Sequence, residues 1–309
     1  MYLMSSPIRL AVAIPQNVAD GAFDPAALRA YLGRAEALGF HSAWTGEGVL
    51  GSMPWLDAAE LLTYAAAVTE RLRLGCAVML TALRSPVHVA KRLSTLDQLS
   101  RGRLIVGVGL GARTDVYPAF GADAGTRVAR FNEGLRLMKA LWTEPRVTFE
   151  GRFWQLREAP MEPKPFQKPH PPIWFGANHP NALRRAVRHG DGFIGAGSST
   201  TAQFVEQVRT LRQLLEEAGR DPADFPVSKR VYIVVDDDQQ RAERRVREWF
   251  QQRYGRPGVE QSAVWGPPSV CLEALREVTD AGAGLVLLDA PFDHSEQLER
   301  FASEIAPQL

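Results

Sequence analysis

The sequence predicts an α/β fold of the (β/α)8 TIM-barrel class with inserted loops, and three observations lead to it. The chain has 309 residues, enough for one large α/β domain, and 45% of them are hydrophobic, so a full core can form. Short apolar runs alternate with longer amphipathic ones from end to end, as in strands joined by crossover helices. The runs are apolar on both faces, as an enclosed parallel sheet needs, and eight strands with no leftover edge favour a closed barrel over the alternative, an open doubly wound sheet.

The strands and helices are predicted from these runs in order along the chain. Strands are predicted at residues 9–14, 41–45, 72–78, 103–109, 172–176, 192–195, 230–235 and 284–288. Helices are predicted at residues 25–38, 57–70, 87–99, 126–141, 181–189, 200–218, 239–254, 269–281 and 294–305. Asp24 before Pro25 supports the first helix start, because a capping side chain and a proline both suit a first turn.

Two stretches break the alternation and are predicted to be inserted loops. Residues 145–171 contain a possible hairpin at 147–154, and the prolines that follow it exclude a helix. Residues 255–268 are predicted to be a loop after the seventh strand. Neither insertion is long enough to be a domain, so the sequence predicts one domain over residues 1–309.

Charge and cysteine content exclude several classes of function. The chain has 36 basic and 35 acidic residues, a balance that gives no field to hold nucleic acid or an anionic membrane. Residues 1–7 lack the basic and apolar regions of a signal peptide, and no later run is long enough to span a bilayer. Cys76 and Cys271 show no metal-ligand spacing. We therefore expect a cytoplasmic protein with no bound metal.

Candidate site residues follow from the barrel itself, because the active site of such a barrel is built at the carboxyl ends of its strands. In strand order, the candidates are Trp44 and Glu47; Ala77, Val78 and Met79; Gly107, Gly109 and Arg113; Gly176, Ala177 and Asn178; and Gly195, Ala196, Gly197 and Ser198. The glycines either admit a flat ligand or a phosphate close to the main chain, or merely turn βα corners. Both interpretations remain open at this point.

Glu47 and Arg113 are the candidate catalytic residues. Glu47 stands at the end of the second strand among small neighbours, where its carboxylate can serve a cofactor or substrate. The alternative is a rim carboxylate paired with an arginine. If Glu47 serves the site and lies outside a buried network, Glu47→Gln should change stability by less than about 1 kcal/mol.

Five segments of the chain together resemble the bacterial luciferase-like oxidoreductases. They are LGFHSAWTGE at 38–47, RLRLGCAV at 71–78, LDQLSRGRLIVGVG at 96–109, PPIWFGA at 171–177 and GDGFI at 190–194. The resemblance implies a flavin-type ring lying against a bulge in the third strand, with a non-proline cis peptide at Ala77–Val78. It also implies that Gly107–Gly109 lies beneath the ring, and that the loops at 176–178 and 195–198 flank the cofactor's polar tail and phosphate.

The resemblance leaves two cofactors open. Deazaflavin (F420) enzymes transfer a hydride to or from a small substrate, whereas FMN enzymes activate oxygen with reduced flavin from a separate reductase. F420 is favoured because WTGE at 44–47 and PIWFGA at 172–177 are similar to that branch. FMN is the alternative, and a non-catalytic flavin-binding protein is the rival of a different class.

The resemblance also bears on substrate and partners. Sugar-phosphate dehydrogenase relatives carry a histidine where this chain has Gly48 and a glutamate where it has Ala112, so glucose 6-phosphate is not expected to be oxidised. An apolar substrate pocket is expected instead. Its predicted walls are Trp44, Met53, Trp55, Met79 and Trp265. The expected partners are a small organic molecule, a flavin or F420 reductase, and a second copy in a homodimer.

Overall fold

A computed structural model describes residues 8–18, 22–51, 53–255 and 258–309 of the chain. The prediction for residues 1–7 lies outside the described residues, as do positions 256–257 of the second insertion. The strands are β1 (Arg9–Ala13), β2 (Ser42–Thr45), β3 (Arg73–Cys76), β4 (Leu104–Val108), β5 (Val147–Glu150), β6 (Gln155–Ala159), β7 (Ile173–Gly176), β8 (Gly192–Gly195), β9 (Val227–Val235), β10 (Val264–Gly266) and β11 (Leu285–Asp289). The helices are α1 (Pro25–Ala37), α2 (Ala58–Val68), α3 (Pro86–Leu99), α4 (Arg127–Thr143), α5 (Pro180–His189), α6 (Thr201–Glu217), α7 (Gln239–Tyr254), α8 (Pro268–Asp280) and α9 (His294–Arg300).

The sheet confirms the predicted barrel. Its strand order is β9-β11-β1-β2-β3-β4-β7-β8, and β8 pairs again with β9, so the order of these eight strands is circular. The eight predicted strands and nine predicted helices are all present, with ends shifted by a few residues. The two-stranded sheet of β5 and β6 is separate.

The chain divides into two compact units. The first contains the described part of Met1–Pro15 together with Asp24–Trp44 and Phe175–Leu309. The second contains the described part of Gln16–Phe23 together with Thr45–Trp174.

In the first unit, β9 pairs with three other strands. It pairs with β11 over Ser228–Tyr232 and with β8 over Val227–Lys229. Beyond β8, the short strand β10 pairs with Ile233–Val235. The buried amide of Gln297 donates to the carbonyl oxygen of Val235 (2.9 Å) and accepts its N–H (2.8 Å). Tyr232 and Val234 of β9 pack against Ala242, Val246 and Phe250 of α7.

In the second unit, α4 holds the inserted hairpin. The buried carboxylate of Glu133 accepts the main-chain N–H groups of Arg152 (3.0 Å), Phe153 (2.8 Å) and Trp154 (3.1 Å) at the turn between β5 and β6. The guanidinium of Arg130, one turn earlier on α4, lies 4.9 Å from the Trp154 ring centre. These contacts fix the hairpin to the helix that precedes it.

The structure corrects three boundaries. The second hairpin strand is β6 at Gln155–Ala159, beyond the predicted run at 147–154, because Arg152–Trp154 form the turn bound by Glu133. The stretch predicted as a loop at 255–268 contains β10, which pairs with β9, the seventh of the eight predicted strands. That seventh strand, β9, begins at Val227 and not at residue 230, because charged residues obscure its first half in the sequence.

No helix in the described part of the chain is both long and apolar enough to cross a membrane.

Candidate active site

In the second unit, the chain after β3 forms the predicted bulge. The N–H of Ala77 donates to the carbonyl oxygen of Thr45 at the end of β2 (2.8 Å), whereas the N–H of Met79 donates to Gly107 of β4 (2.8 Å). Gly109 then donates its N–H to Met79 (3.1 Å). The Ala77–Val78 peptide bond is cis, as predicted. The main chain of residues 77–79 is therefore hydrogen-bonded on one side to the end of β2 and on the other side to the end of β4.

Two buried hydroxyl groups next to this segment have no hydrogen-bond partner among the described residues. They are Thr45 Oγ1 at the end of β2 and Thr81 Oγ1, which follows Met79 by two residues. Thr45 is 2% exposed and Thr81 is 6% exposed. A buried hydroxyl without a partner costs about 1–3 kcal/mol, so a polar ligand that bonds to these groups would relieve that cost.

Glu47 pairs with an arginine, as in the alternative interpretation of this residue, while a role toward a cofactor or substrate stays a prediction. Its side chain is 2% exposed; one carboxylate oxygen lies 2.7 Å from Nη2 of Arg84 and the other accepts the N–H of Leu80. Arg84 also lies 3.7 Å from Asp57. Because Glu47 belongs to a buried network, we expect Glu47→Gln to lose more stability than the limit of about 1 kcal/mol that the sequence suggested. Its contact with Leu80 connects the carboxylate to the chain just after the bulge.

Arg113 lies on an exposed loop. It pairs with Asp115 (2.5 Å) and donates to the carbonyl oxygen of Leu50 (3.0 Å). The Asp115 carboxylate raises the pKa of the Arg113 guanidinium, so this group stays charged. A catalytic role for Arg113 therefore stays a prediction.

The predicted pocket walls differ in their surroundings. Trp44 is 2% exposed and its indole N–H donates to the Ser42 hydroxyl (2.8 Å). Met79 is 4% exposed. Trp265 packs against the Tyr232 cluster under α7. Met53 and Trp55 are partly exposed, and the Trp55 ring lies 3.3 Å from where a Cβ on Gly48 would stand. Trp55 therefore fills space that a side chain at position 48 would need.

In the first unit, the loop after β8 is a tight turn tied to β9. The Ser199 N–H donates to Ala196 (3.1 Å), which closes the turn over residues 196–199. Lys229 of β9 is 2% exposed, and its ammonium donates to the carbonyl oxygens of Ala196 and of Ser199, the latter at 2.8 Å. Burial, together with the smaller effect of the positive charge of Arg230, lowers the pKa of Lys229 to about 7.

Gly195 at the end of β8 and Gly197 in the turn that follows are both explained by protein packing. A Cβ on Gly195 would stand 2.6 Å from the Phe204 ring and 2.9 Å from Cδ of Lys229. A Cβ on Gly197 would stand 2.8 Å from the Tyr232 ring. Neighbouring side chains occupy these spaces, so close packing alone requires glycine here. Cofactor contact at Gly195, Ala196, Gly197 and Ser198 stays a prediction.

The loop after β7 is linked to the same turn. The hydroxyl of Ser199 donates to Asn178 Oδ1 (3.4 Å), and the amide of Gln207 on α6 lies 3.5 Å from that hydroxyl. Gln207 Oε1 is buried without a partner among the described residues. Gly176, Ala177 and Asn178, predicted to bind the cofactor, thus lead into a polar chain with Ser199.

A second polar group lies between β9 and β11. Nε of Arg230 donates to Asp289 (2.6 Å), and the Arg230 guanidinium lies 5.0 Å from the Tyr232 ring centre. The hydroxyls of Tyr232 and Tyr254 are 2.9 Å apart. Burial would lower the pKa of Arg230, but the Asp289 carboxylate and the Tyr232 and Tyr254 side chains together outweigh burial, and the pKa is raised. Arg230 therefore remains a guanidinium cation, neutralised within the protein.

Sequence reasoning missed Lys229 and Arg230 as candidates, and it missed Arg84 as the partner of Glu47. Each belongs to a contact between segments that are distant in sequence. Lys229 and Arg230 carried a local signal, because two cations in succession interrupt an apolar strand.

Of the predicted residues, the structure brings Glu47 and the 77–79 segment together through Leu80, and Asn178 and the 195–198 loop through Ser199. Within the described residues, no group of acidic, histidine or cysteine side chains has the arrangement of a metal site.

Comparison with known proteins places this geometry among luciferase-like barrels. Residues 2–260 match the luciferase-like monooxygenase family. An F420-dependent glucose-6-phosphate dehydrogenase from Beutenbergia cavernae is 30% identical over 324 residues, which cover 93% of this chain and 94% of that protein.

Two solved structures are similar along the whole chain. Monooxygenase RslO1 from Streptomyces bottropensis has a TM-score of 0.82 and 25% identity, and the likeness covers 97% of this chain and 99% of that one. Coenzyme F420-dependent tetrahydromethanopterin reductase from Methanopyrus kandleri has a TM-score of 0.78 and 19% identity, with 98% and 99% covered. The second likeness concerns the fold alone.

Proposed function

Because the chain belongs to the luciferase-like monooxygenase family, we propose that it is an oxidoreductase that uses F420 to transfer a hydride to a small organic substrate. The structural observation that carries the proposal is the segment after β3, beside which the hydroxyls of Thr45 and Thr81 have no hydrogen-bond partner among the described residues. A flavin-type ring has polar edges that such hydroxyls can bond. The F420-dependent relative, similar over 93% of this chain, supports the choice of F420 over FMN.

When bound, the reduced deazaflavin supplies the hydride. The protein's own residues orient and enclose the cofactor and the substrate. Thr45 and Gly107 hold the main chain of the bulge, and Met79 adds a buried apolar side chain. Glu47, bound to Arg84, fixes the N–H of Leu80 and so acts by positioning this segment. Arg113, on its exposed loop, interacts with charged groups of the cofactor or substrate.

The test is to purify the protein from a host that makes both FMN and F420 and to record the absorption spectrum of what is bound. Titration with each cofactor and turnover on a panel of small carbonyl compounds and alcohols complete it. Bound F420 with F420-dependent turnover is expected. FMN binding with turnover that requires a flavin reductase would replace the proposal, and binding without turnover on any substrate would favour a non-catalytic flavin-binding protein.

The second candidate is an FMN-dependent monooxygenase that receives reduced flavin from a separate reductase. Its support is the likeness to monooxygenase RslO1, whose structure superposes on 97% of this chain at a TM-score of 0.82. The experiment above separates it from the first proposal, because only this candidate consumes oxygen and depends on the reductase.

The proposal extends to the setting of the enzyme. We expect one catalytic domain over residues 1–309, acting in the cytoplasm, because Cys76 and Cys271 are both buried and neither is part of a disulfide, as is usual in a reducing compartment. We also expect a homodimer, which sedimentation of the purified protein at several concentrations measures.

A further inference from the structure

Lys229 is a buried cation whose position is fixed by the loop after β8. It stands opposite Gly195 in the pairing of β9 with β8, and its stem passes next to the Phe204 ring, whose centre lies 5.9 Å from the ammonium nitrogen. Within the described part of the chain, no ion pair with a carboxylate neutralises it. Its polar partners there are the carbonyl oxygens of Ala196 and Ser199. A buried ammonium is costly to keep, so these contacts call for an explanation.

The two carbonyl groups are the first and last of one turn. The hydrogen bond from Ser199 to Ala196 closes the turn, and the ammonium bonds across it to both ends. Thr200 follows directly and caps α6, since its hydroxyl accepts the N–H of Gln203 while the Gln203 side chain accepts the N–H of Thr200. Lys229 thus fixes the shape of the turn that leads into the first residues of a helix.

Positive charge is concentrated at this turn. The amino-terminal end of the 17-residue helix α6 carries a partial positive charge, and Lys229 adds an ammonium beside it. Burial lowers the pKa of Lys229 to about 7, which reflects the cost of keeping the charge in this surrounding. An anion near the turn would reduce that cost, whereas an uncharged ligand would not.

We propose that Lys229 is a positioning residue, which holds the turn at 196–199 in the shape that receives the anionic tail of the cofactor. The inference rests on the proposed function, because it takes F420 as the cofactor. It adds a residue of β9, outside the loops predicted to touch the tail. Without the ammonium, the carbonyl groups of Ala196 and Ser199 lose a shared donor and the turn loses its positive charge.

The test compares two ligands and three variants. The ligands are F420 and its deazaflavin chromophore without the phosphate-containing tail. Lys229→Met removes the donor and keeps the length of the stem, and Lys229→Gln restores one donor. The control is Lys164→Met, because Lys164 also donates to two main-chain carbonyl oxygens, those of Leu141 (2.9 Å) and Glu144 (2.5 Å), in the second unit.

Lys229→Met should weaken binding of F420 at least about tenfold and leave binding of the tail-less chromophore within about twofold. Lys229→Gln should be intermediate, and Lys164→Met should bind both ligands like the wild type. Faster amide hydrogen exchange at residues 196–200 in Lys229→Met is the second readout, and it needs no cofactor. If Lys229→Met does not fold, the same comparison in Lys229→Gln decides.

Equal weakening of both ligands, or no weakening of either, would overturn the role of Lys229. If the wild-type protein binds neither F420 nor the chromophore, the proposed function itself fails and this inference fails with it. The two failures are therefore distinguishable in one set of titrations.

Discussion

At the scale of single residues, Glu47 lies where strand order predicts it but makes contacts that the sequence does not reveal. Its place after β2 was predictable from strand order, because the carboxyl ends of barrel strands form the site. Its ion pair with Arg84 was not, since 37 positions separate the two and nothing local in the sequence specifies the contact. The sequence also did not reveal that the hydroxyls of Thr45 and Thr81 lack a partner within the described part of the chain, because only the fold determines what surrounds a buried side chain.

We expect Glu47→Gln to impair both stability and cofactor binding. The amide keeps an acceptor for the Leu80 N–H but leaves the Arg84 guanidinium without its charge partner, at a cost of about 1–3 kcal/mol. Loosening Leu80 should lower cofactor affinity about tenfold, or about 1.4 kcal/mol. Chemical denaturation without cofactor and a cofactor titration measure the two effects.

The control for Glu47→Gln is Asp115→Asn, which breaks the exposed Arg113–Asp115 pair. Exposed pairs contribute little, so its denaturation curve should overlay that of the wild type. An unchanged titration for Glu47→Gln, alongside a clear loss of stability, would mean that Glu47 supports the fold only.

At the scale of elements, regular helices and strands were predictable and irregular ones were not. The predicted helix at 239–254 matches α7 residue for residue, because its amphipathic pattern is uninterrupted. The three-residue strand β10 was hidden, since so short a run has no periodicity of its own and forms only by pairing with β9. The hairpin turn was misplaced for a related reason, as its position depends on Glu133 of α4.

Glu133→Ala should release the hairpin turn. The change leaves the N–H groups of Arg152, Phe153 and Trp154 without their carboxylate acceptor, and we expect a loss of stability of about 1–3 kcal/mol. Amide hydrogen exchange at 152–154 should rise more than at the barrel strands. Glu150→Ala, an exposed position on the same hairpin, serves as the comparison and should leave exchange at 152–154 as it is. Unaltered exchange in Glu133→Ala would show that Arg130 and the neighbouring packing suffice to hold the turn.

At the scale of the whole molecule, the family and the fold were predictable because their signals are spread over the chain. Five segments across about 150 residues carried the resemblance, and the match over residues 2–260 confirmed it. The substrate depends on few side chains, so likeness along the chain does not transfer it. Gly48 and Ala112 are two such positions.

We predict that glucose 6-phosphate is not oxidised, although a dehydrogenase of that substrate is 30% identical to this chain. Gly48 supplies no acid or base, and the Trp55 ring stands 3.3 Å from the place of its missing Cβ. The measurement is reduction of F420 with glucose 6-phosphate, using a bona fide dehydrogenase of that sugar phosphate as the positive control. Efficient reduction would show that the alignment of the end of β2 is wrong.

The arrangement around the last residues of β9 has a consequence for the behaviour of the protein in concentrated solution. A strand that outruns its neighbour presents free N–H and C=O groups, and such an edge recruits strands from other molecules. Here β10 covers Ile233–Val235 on one side, and the Gln297 amide bonds both main-chain groups of Val235 in the manner of one more strand residue. Because the Gln297 side chain takes the place of a backbone partner, the end of β9 offers no free edge at Val235 to which a strand of another molecule could add.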